Sequence, residues 1–390
     1  MAQDNATPHD GRRIIHEVIW SEALPWWLLF RAAGVAFAPT VILLALLGGL
    51  ATWAGWSIAD SLGLAGTDPA ADAIRDAMLG GPVLPGPDGS NAVGALRPSR
   101  ALPLLDAAWA WLPRPVADVL ELVGISFRPT ATLTLLGGAL ARIGWFVLVW
   151  SIFGTAIARH VALKLVGEEA PGLPGSVLYG ARAWLAAFNS VAFVLLGILA
   201  LAVPGALLGL LMRADWGLAV AGVIWPLVLA GAVVLAILGI GLVAGWPLMV
   251  AAVAVERGDA FQAISTSFSY LYQRPLHYAF YACVAAVVAL PAFAVAGLFA
   301  DATGTLALWA ASFGMGHDRT LGVLEGLHSP AAAPWGVRAL AFWTRGLESL
   351  LGSFGWGYFW AIATAAYMLL RHDVDGTDLD EVVIDQPGAA

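Results

Sequence analysis

Long apolar stretches constrain the fold of this chain more than any other feature. Several of them approach or exceed the ~20 residues that an α-helix needs to cross a bilayer. Only 12% of the 390 residues are charged and 60% are hydrophobic, whereas soluble chains carry about 25% charged residues. The sequence therefore predicts an all-α integral membrane protein.

Six stretches are predicted as transmembrane helices. They lie at 35–56, within 131–158, and at 184–211, 217–246, 278–300 and 347–370. The remaining segments are predicted as an N-terminal tail with an interfacial helix (1–34), two extramembrane segments (57–128 and 301–346) inside a transmembrane domain 35–370, and an acidic, solvated C-terminal tail (371–390).

Six crossings place both termini on one side of the membrane, and the short connections on that side are basic. Its basic residues are Arg12, Arg13, Arg31, Arg159, Lys164, Arg182, Arg257, Arg274 and Arg371. Short cytoplasmic loops carry an excess of Lys and Arg. We therefore expect a multi-pass protein of the cell inner (cytoplasmic) membrane with both termini in the cytoplasm.

A weak internal repeat appears when the chain is shifted by 87 residues. The shift sets Gly154 on Gly241, Glu169 on Glu256 and Pro204 on Pro291. It predicts two parallel units, each a membrane helix, an interfacial loop helix and a membrane helix. Chance similarity between Ala- and Leu-rich spans is the alternative.

The two loop helices are predicted at residues 176–187 and 260–273. In the second, Asp259 is a suitable N-cap, and apolar residues follow at helical spacing. The sequence therefore predicts an amphipathic helix here, either packed on its own bundle or offered to a partner.

Motifs that carry enzyme chemistry are missing from the sequence. It has no GxxxxGK[ST] phosphate loop, no HExxH metal motif and no GxSxG nucleophile elbow. Its single cysteine, Cys283, excludes intramolecular disulfides and multi-cysteine metal sites. We expect no catalytic residues, no metal and no cofactor, and the absence of a basic block argues against nucleic acid as a partner.

Four charged residues are candidate functional residues: Arg142, Glu169, Glu256 and Arg257. Arg142 falls inside the second predicted span, where a charge is expensive and functional by default, unless a shifted register lifts it to the outer interface. The glutamates and Arg257 lie where apolar helices end. They could bind a headgroup, a cation or a partner, or the glutamates could simply be solvated or cap the following helix.

Residues 246–291, and more weakly 159–204, follow a recognisable pattern. A span reaches Trp246-Pro247, then come Glu256, a loop helix rich in Ser and aromatic residues, and a span opened by Pro275. This pattern resembles poorly characterised bacterial membrane domains, including the one attached to some glycerophosphodiester phosphodiesterases. The phosphodiesterase catalytic residues have no counterpart here, so the resemblance implies a helical membrane domain and no enzymatic activity.

Three functional classes follow from the sequence. The first is a non-enzymatic membrane scaffold that binds lipids or another membrane protein. The alternative is a transporter or lipid-handling protein, which internal repeats and Pro-interrupted spans suit, although ionisable groups are rare inside the spans. A membrane enzyme is disfavoured because the sequence offers no catalytic set.

Overall fold

A computed structural model describes residues 24–63, 133–328, 333–379 and 381–382. The described residues contain α-helices and one 3-10 turn, and no strand. The predictions for 1–23, for most of 57–128 and for the last eight residues lie outside these ranges. The all-α prediction is confirmed.

Ten α-helices are numbered here in chain order. They are α1 Leu28–Ala36, α2 Pro39–Ser61, α3 Leu133–Val166, α4 Leu173–Leu211, α5 Asp215–Glu256, α6 Ala260–Gln273, α7 Pro275–Met315, α8 His317–His328, α9 Trp335–Gly352 and α10 Phe354–Asp375. A 3-10 turn, Pro25–Trp27, precedes α1.

Among the described residues, five helices are long and apolar enough to cross a membrane, one fewer than predicted. They are α2, α3, α4, α5 and α7. The sixth predicted span, 347–370, is divided at Ser353 between α9 and α10. In α10 every residue from Trp360 to Leu370 is buried, so this helix is a core element enclosed by its neighbours. It therefore contains Gly, Tyr and Trp residues, whereas a helix that faces lipid is mostly aliphatic.

The extramembrane segment predicted at 301–346 is largely helical. α7 continues past residue 300 to Met315 and ends at Gly316, whose φ of 73° suits glycine. α8 and α9 follow. α7 passes Asp301 without a break because a single acidic residue does not interrupt the backbone hydrogen bonds of a helix.

The two halves of the proposed repeat differ at the loop helix. The second half has a separate α6 with the predicted bounds, and the Asp259 carboxylate accepts from the backbone N–H of Gln262 at 2.8 Å. In the first half, residues 176–187 belong to the continuous helix α4. Pro275 opens α7 and forces Arg274 out of the helical region, whereas the matching position holds Phe188, which lets α4 continue.

Both ends of the described chain lie at the same end of the bundle. Arg31, near the start, donates to the carbonyl of Leu165 at the end of α3. Arg371, near the end, lies 3.4 Å from Glu256 at the end of α5. Arg159 joins α3 to α5 there by donating to the carbonyl of Ala254. We call this the basic end.

Candidate functional site

A cleft of about 660 Å³ opens at the basic end, between the end of α3, the first turns of α4 and the end of α5. Its ionisable and phenolic lining residues are Arg159, Glu168, Glu169, Tyr179, Arg182 and Arg257. Three arginines from three different helices therefore face one opening.

Arg159 and Tyr179 are fixed by the carbonyl groups that end α5. Arg159 is 4% exposed and donates from Nη1 to the carbonyl of Ala254 at 3.1 Å. The Tyr179 hydroxyl lies 3.3 Å from the carbonyls of both Val253 and Ala254. The last carbonyls of a helix lack partners within it and carry partial negative charge, so these donors both cap α5 and hold the base of the cleft.

Arg257 ends α5 in the left-handed conformation, with φ of 59°. Among the described non-glycine residues it is the only one with positive φ. This conformation costs an L-residue roughly 1–2 kcal/mol. It places the Arg257 guanidinium 5.9 Å from the Tyr179 ring centroid, and Arg159 lies 5.3 Å from the same ring. One aromatic ring thus orients two cations.

Groups of different polarity follow one another along α4. The turn before the helix supplies Glu168 and Glu169, both exposed. Tyr179 and Arg182 come next, and Ala183 and Ala186 line the cleft beyond them, towards the apolar half of α4. Leu178, another lining residue, is 51% exposed. The cleft is therefore charged on its outer side and apolar towards the middle of the bundle.

Glu256 directly precedes the cleft residue Arg257 in the chain, but its side chain makes its contacts outside the cleft. Its carboxylate accepts from the Tyr367 hydroxyl and from Gln262 Nε2 at 3.0 Å, and it pairs with Arg371. Its side chain is 15% exposed and that of Arg371 is 14% exposed. Glu256 thus joins α5, α6 and α10, while its predicted repeat partner Glu169 is an exposed turn residue in the cleft.

Two aspartates expected to be solvated at the start of the C-terminal tail instead bind buried tyrosines. Asp375 accepts from Tyr270 of α6, and Asp373 accepts from Tyr281 of α7 at 2.6 Å. Burial, and then the bond to Asp375, raise the pKa of Tyr270 above its ordinary value, so the phenol stays protonated and donates. α10 therefore extends to Asp375, into the segment predicted as a tail from residue 371, and Asp375 is exposed although it accepts this hydrogen bond.

Arg142 lies far from the cleft. Its backbone carbonyl accepts from Trp56 Nε1 at 3.2 Å, and its side chain is half-buried. Seventeen residues of α3 separate it from Arg159, which corresponds to about 26 Å of helix. That distance approaches the ~30 Å thickness of the hydrocarbon core.

The sequence therefore predicted two of the cleft residues, Glu169 and Arg257, as functional candidates. It missed four others as site residues: Arg159, Glu168, Tyr179 and Arg182. A usable signal existed, because Arg159, Arg182 and Arg257 are three of the arginines assigned to the short loops of one side. Tyr179 left no signal, since an isolated tyrosine near a helix start is common.

The cleft is suited to binding an anion and offers no evident nucleophile. Among the described lining residues there is no Ser, Thr, Cys or His. Within the described ranges no group of three or more His, Cys, Asp or Glu residues could hold a metal ion.

Comparison of the chain with models of known protein families, with curated proteins and with solved structures found no match. The resemblance to the membrane domain attached to some glycerophosphodiester phosphodiesterases therefore stays a prediction.

Proposed function

We propose that this protein is a non-enzymatic integral membrane protein that binds the phosphate of a lipid headgroup in the arginine cleft. The observation that carries the proposal is the convergence of Arg159, Arg182 and Arg257 on one open cleft, with two of their guanidiniums over the same tyrosine ring.

Guanidinium groups suit phosphate because they form paired, charge-assisted hydrogen bonds with its oxygens. The position of the cleft favours a lipid over a soluble anion. It lies where α3 ends and α4 begins, which is headgroup level if these helices cross the bilayer. The exposed Leu178 and the alanines of α4 then face the start of an acyl chain.

The proposal includes six crossings, with α10 as the sixth. Arg31 and Arg371 both contact the basic end, and an even number of crossings brings a chain back to the side on which it started. Arg213 lies in the turn between α4 and α5, at the opposite end of those helices. The two long opposite segments, 57–128 and 301–346, hold eight further arginines, so the bias is confined to the short connections. On those connections the arginines concentrate at the basic end, which favours the cytoplasmic side for it and for both termini.

A reporter that is active only in the cytoplasm tests this topology. Fused after Ala390, it is expected to give full signal. Fused after Arg213 in a truncated chain, it is expected to be silent, because three crossings (α2, α3 and α4) place that turn on the opposite side. The reverse orientation would exchange these two results, whereas five crossings would silence the fusion at Ala390 and leave the fusion at Arg213 silent. A silent but well-expressed fusion at Ala390 contradicts the arrangement.

Lipid binding is tested by native mass spectrometry of lipids retained by the purified protein. Arg182→Gln is expected to weaken retention of phospholipid at least tenfold, because hydrogen bonds to charged groups contribute about 1.5–3 kcal/mol. The control is Arg274→Gln, which removes an exposed arginine outside the cleft lining. Equal retention by Arg182→Gln and the native protein, or retention of a protein partner in place of lipid, contradicts the proposal.

Arg257 allows backbone strain to be separated from ligand binding. Arg257→Gly and Arg257→Ala both remove the guanidinium, so both are expected to weaken lipid retention equally. The glycine variant is expected to be more stable than the alanine variant by about 1 kcal/mol, because only glycine adopts positive φ without strain. Thermal unfolding in detergent measures this difference, and an alanine variant that is the more stable of the two would contradict it.

The transporter alternative has less support from the contacts. The cleft lies at one end of the bundle, and its lining does not extend to Arg142, the charged residue inside the second predicted span. Transporters hold their substrate near the bilayer midplane, whereas the lining of this cleft lies at one end of the bundle.

A further inference from the structure

The cleft carries charges of both signs. Glu168 and Glu169 line it together with the three arginines, and both glutamates and Arg182 are exposed. Among the described residues, no hydrogen bond or ion pair joins the side chains of Glu168 and Glu169 to that of Arg182. A ligand that has both charges can therefore contact the carboxylates and a guanidinium at the same time.

The order of these groups matches the order of groups in one class of lipid. The glutamates stand in the turn that precedes α4, at its outer end. Tyr179, which holds Arg159 and Arg257, is seven residues beyond Gly172, or about 10 Å further along the helix. Apolar lining residues of α4 follow beyond Arg182. An ethanolamine phospholipid has the same sequence from water to membrane: an ammonium group, a phosphate, then acyl chains.

We infer that the cleft recognises a phospholipid whose headgroup carries a primary ammonium beside its phosphate, with the ammonium at Glu168 and Glu169 and the phosphate at the arginines. This inference rests on the proposed function. A primary ammonium donates three hydrogen bonds to carboxylates, which the quaternary ammonium of choline lipids cannot do. A glycerol headgroup brings only neutral hydroxyls to the glutamates, and these donate weaker hydrogen bonds to carboxylates than an ammonium does.

The experiment compares retention of three lipids by the full-length protein in nanodiscs that hold phosphatidylcholine as background. The native protein is expected to retain phosphatidylethanolamine about fivefold more strongly than phosphatidylglycerol, and both more strongly than phosphatidylcholine. The combined variant Glu168→Gln/Glu169→Gln is expected to lose the preference between the first two. Because both glutamates are exposed, the variant is expected to fold, and Glu325→Gln, on the exposed face of α8, is the matched control.

The outcomes separate this inference from the function on which it rests. If the native protein retains phosphatidylglycerol as strongly as phosphatidylethanolamine, and Arg182→Gln weakens both, the ammonium site is wrong and the phosphate site stands. If Arg182→Gln changes no lipid, the proposed function itself is wrong.

Soluble phosphoethanolamine distinguishes a lipid from a free ligand of the same chemistry. It is expected to displace the lipid only weakly, because it lacks the acyl chains that face Leu178 and the alanines of α4. Displacement as effective as that by phosphatidylethanolamine would overturn the assignment to a lipid.

Discussion

Replacing Glu256 with alanine is expected to lower the free energy of unfolding by about 3 kcal/mol, the largest effect of any single substitution proposed for this chain. The carboxylate accepts hydrogen bonds from Tyr367 and Gln262 and pairs with Arg371. Its removal leaves a nearly buried guanidinium and a buried phenol without their shared acceptor. Thermal unfolding of the purified protein in detergent measures the loss.

Two comparisons keep this prediction specific. Glu169→Ala removes the exposed glutamate that the repeat matched to Glu256, and it is expected to change stability by less than about 0.5 kcal/mol. Adding Arg371→Leu to Glu256→Ala is expected to recover part of the loss, because the unpaired charge is then gone. Equal, small effects of Glu169→Ala and Glu256→Ala would show that Glu256 is as solvated as its sequence position suggested.

The same substitution is expected to loosen the C-terminal segment. Arg371 also donates from Nη1 to the carbonyl of Glu381 at 2.6 Å, and Val382 is buried against the bundle. Without the Glu256 carboxylate, Arg371 loses one of the two interactions that hold its guanidinium in this orientation. Limited proteolysis after residue 376 is therefore expected to proceed faster in Glu256→Ala than in the native protein.

Gly180→Ala is expected to destabilise the protein by about 1–3 kcal/mol, and to weaken lipid retention with it. A Cβ at Gly180 would lie 2.2 Å from the carbonyl oxygen of Ile152 and 3.1 Å from Cβ of Ala156. A backbone carbonyl inside a helix cannot rotate away, so α3 and α4 must separate. That separation moves Arg159 relative to Tyr179 and Arg182 across the cleft.

The matched control is Gly197→Ala on the same helix. Nothing lies within 4 Å of a Cβ at Gly197, and alanine favours a helix interior over glycine by roughly 0.5–1 kcal/mol. This variant is expected to be unchanged or slightly stabilised. If both variants change thermal stability equally, the close approach of α3 to α4 is not what makes alanine destabilising at position 180.

Local rules were sufficient for much of the architecture. The apolar stretches predicted membrane helices, and five helices long and apolar enough to cross a membrane are present. The bounds of α6 followed from Asp259 as the N-cap and from Pro275, because the residue before a proline is disfavoured in the helical conformation. Phe188 occupies the position that the repeat matches to Pro275, so nothing interrupts α4 there. This difference was overlooked because the repeat was taken to be symmetrical.

The pairing of charges could not be predicted from the sequence, because it depends on which helix ends meet. Residues 159, 182 and 257 are separated by 23 and 75 positions along the chain, yet they share one cleft because α3, α4 and α5 alternate in direction. The sequence predicted Asp373 and Asp375 as part of a solvated tail, whereas in the structure α6 and α7 bring a tyrosine to each of them.

The sequence by itself determined which described segments form long apolar helices, because helix formation and hydropathy depend on runs of neighbouring residues. Only the tertiary structure decided what each charge does. The predicted 87-residue repeat matches Glu169 to Glu256, but Glu169 is exposed in the cleft and Glu256 joins three helices. A side chain's partners are set by distances between helices, and those distances arise from packing that no single segment encodes.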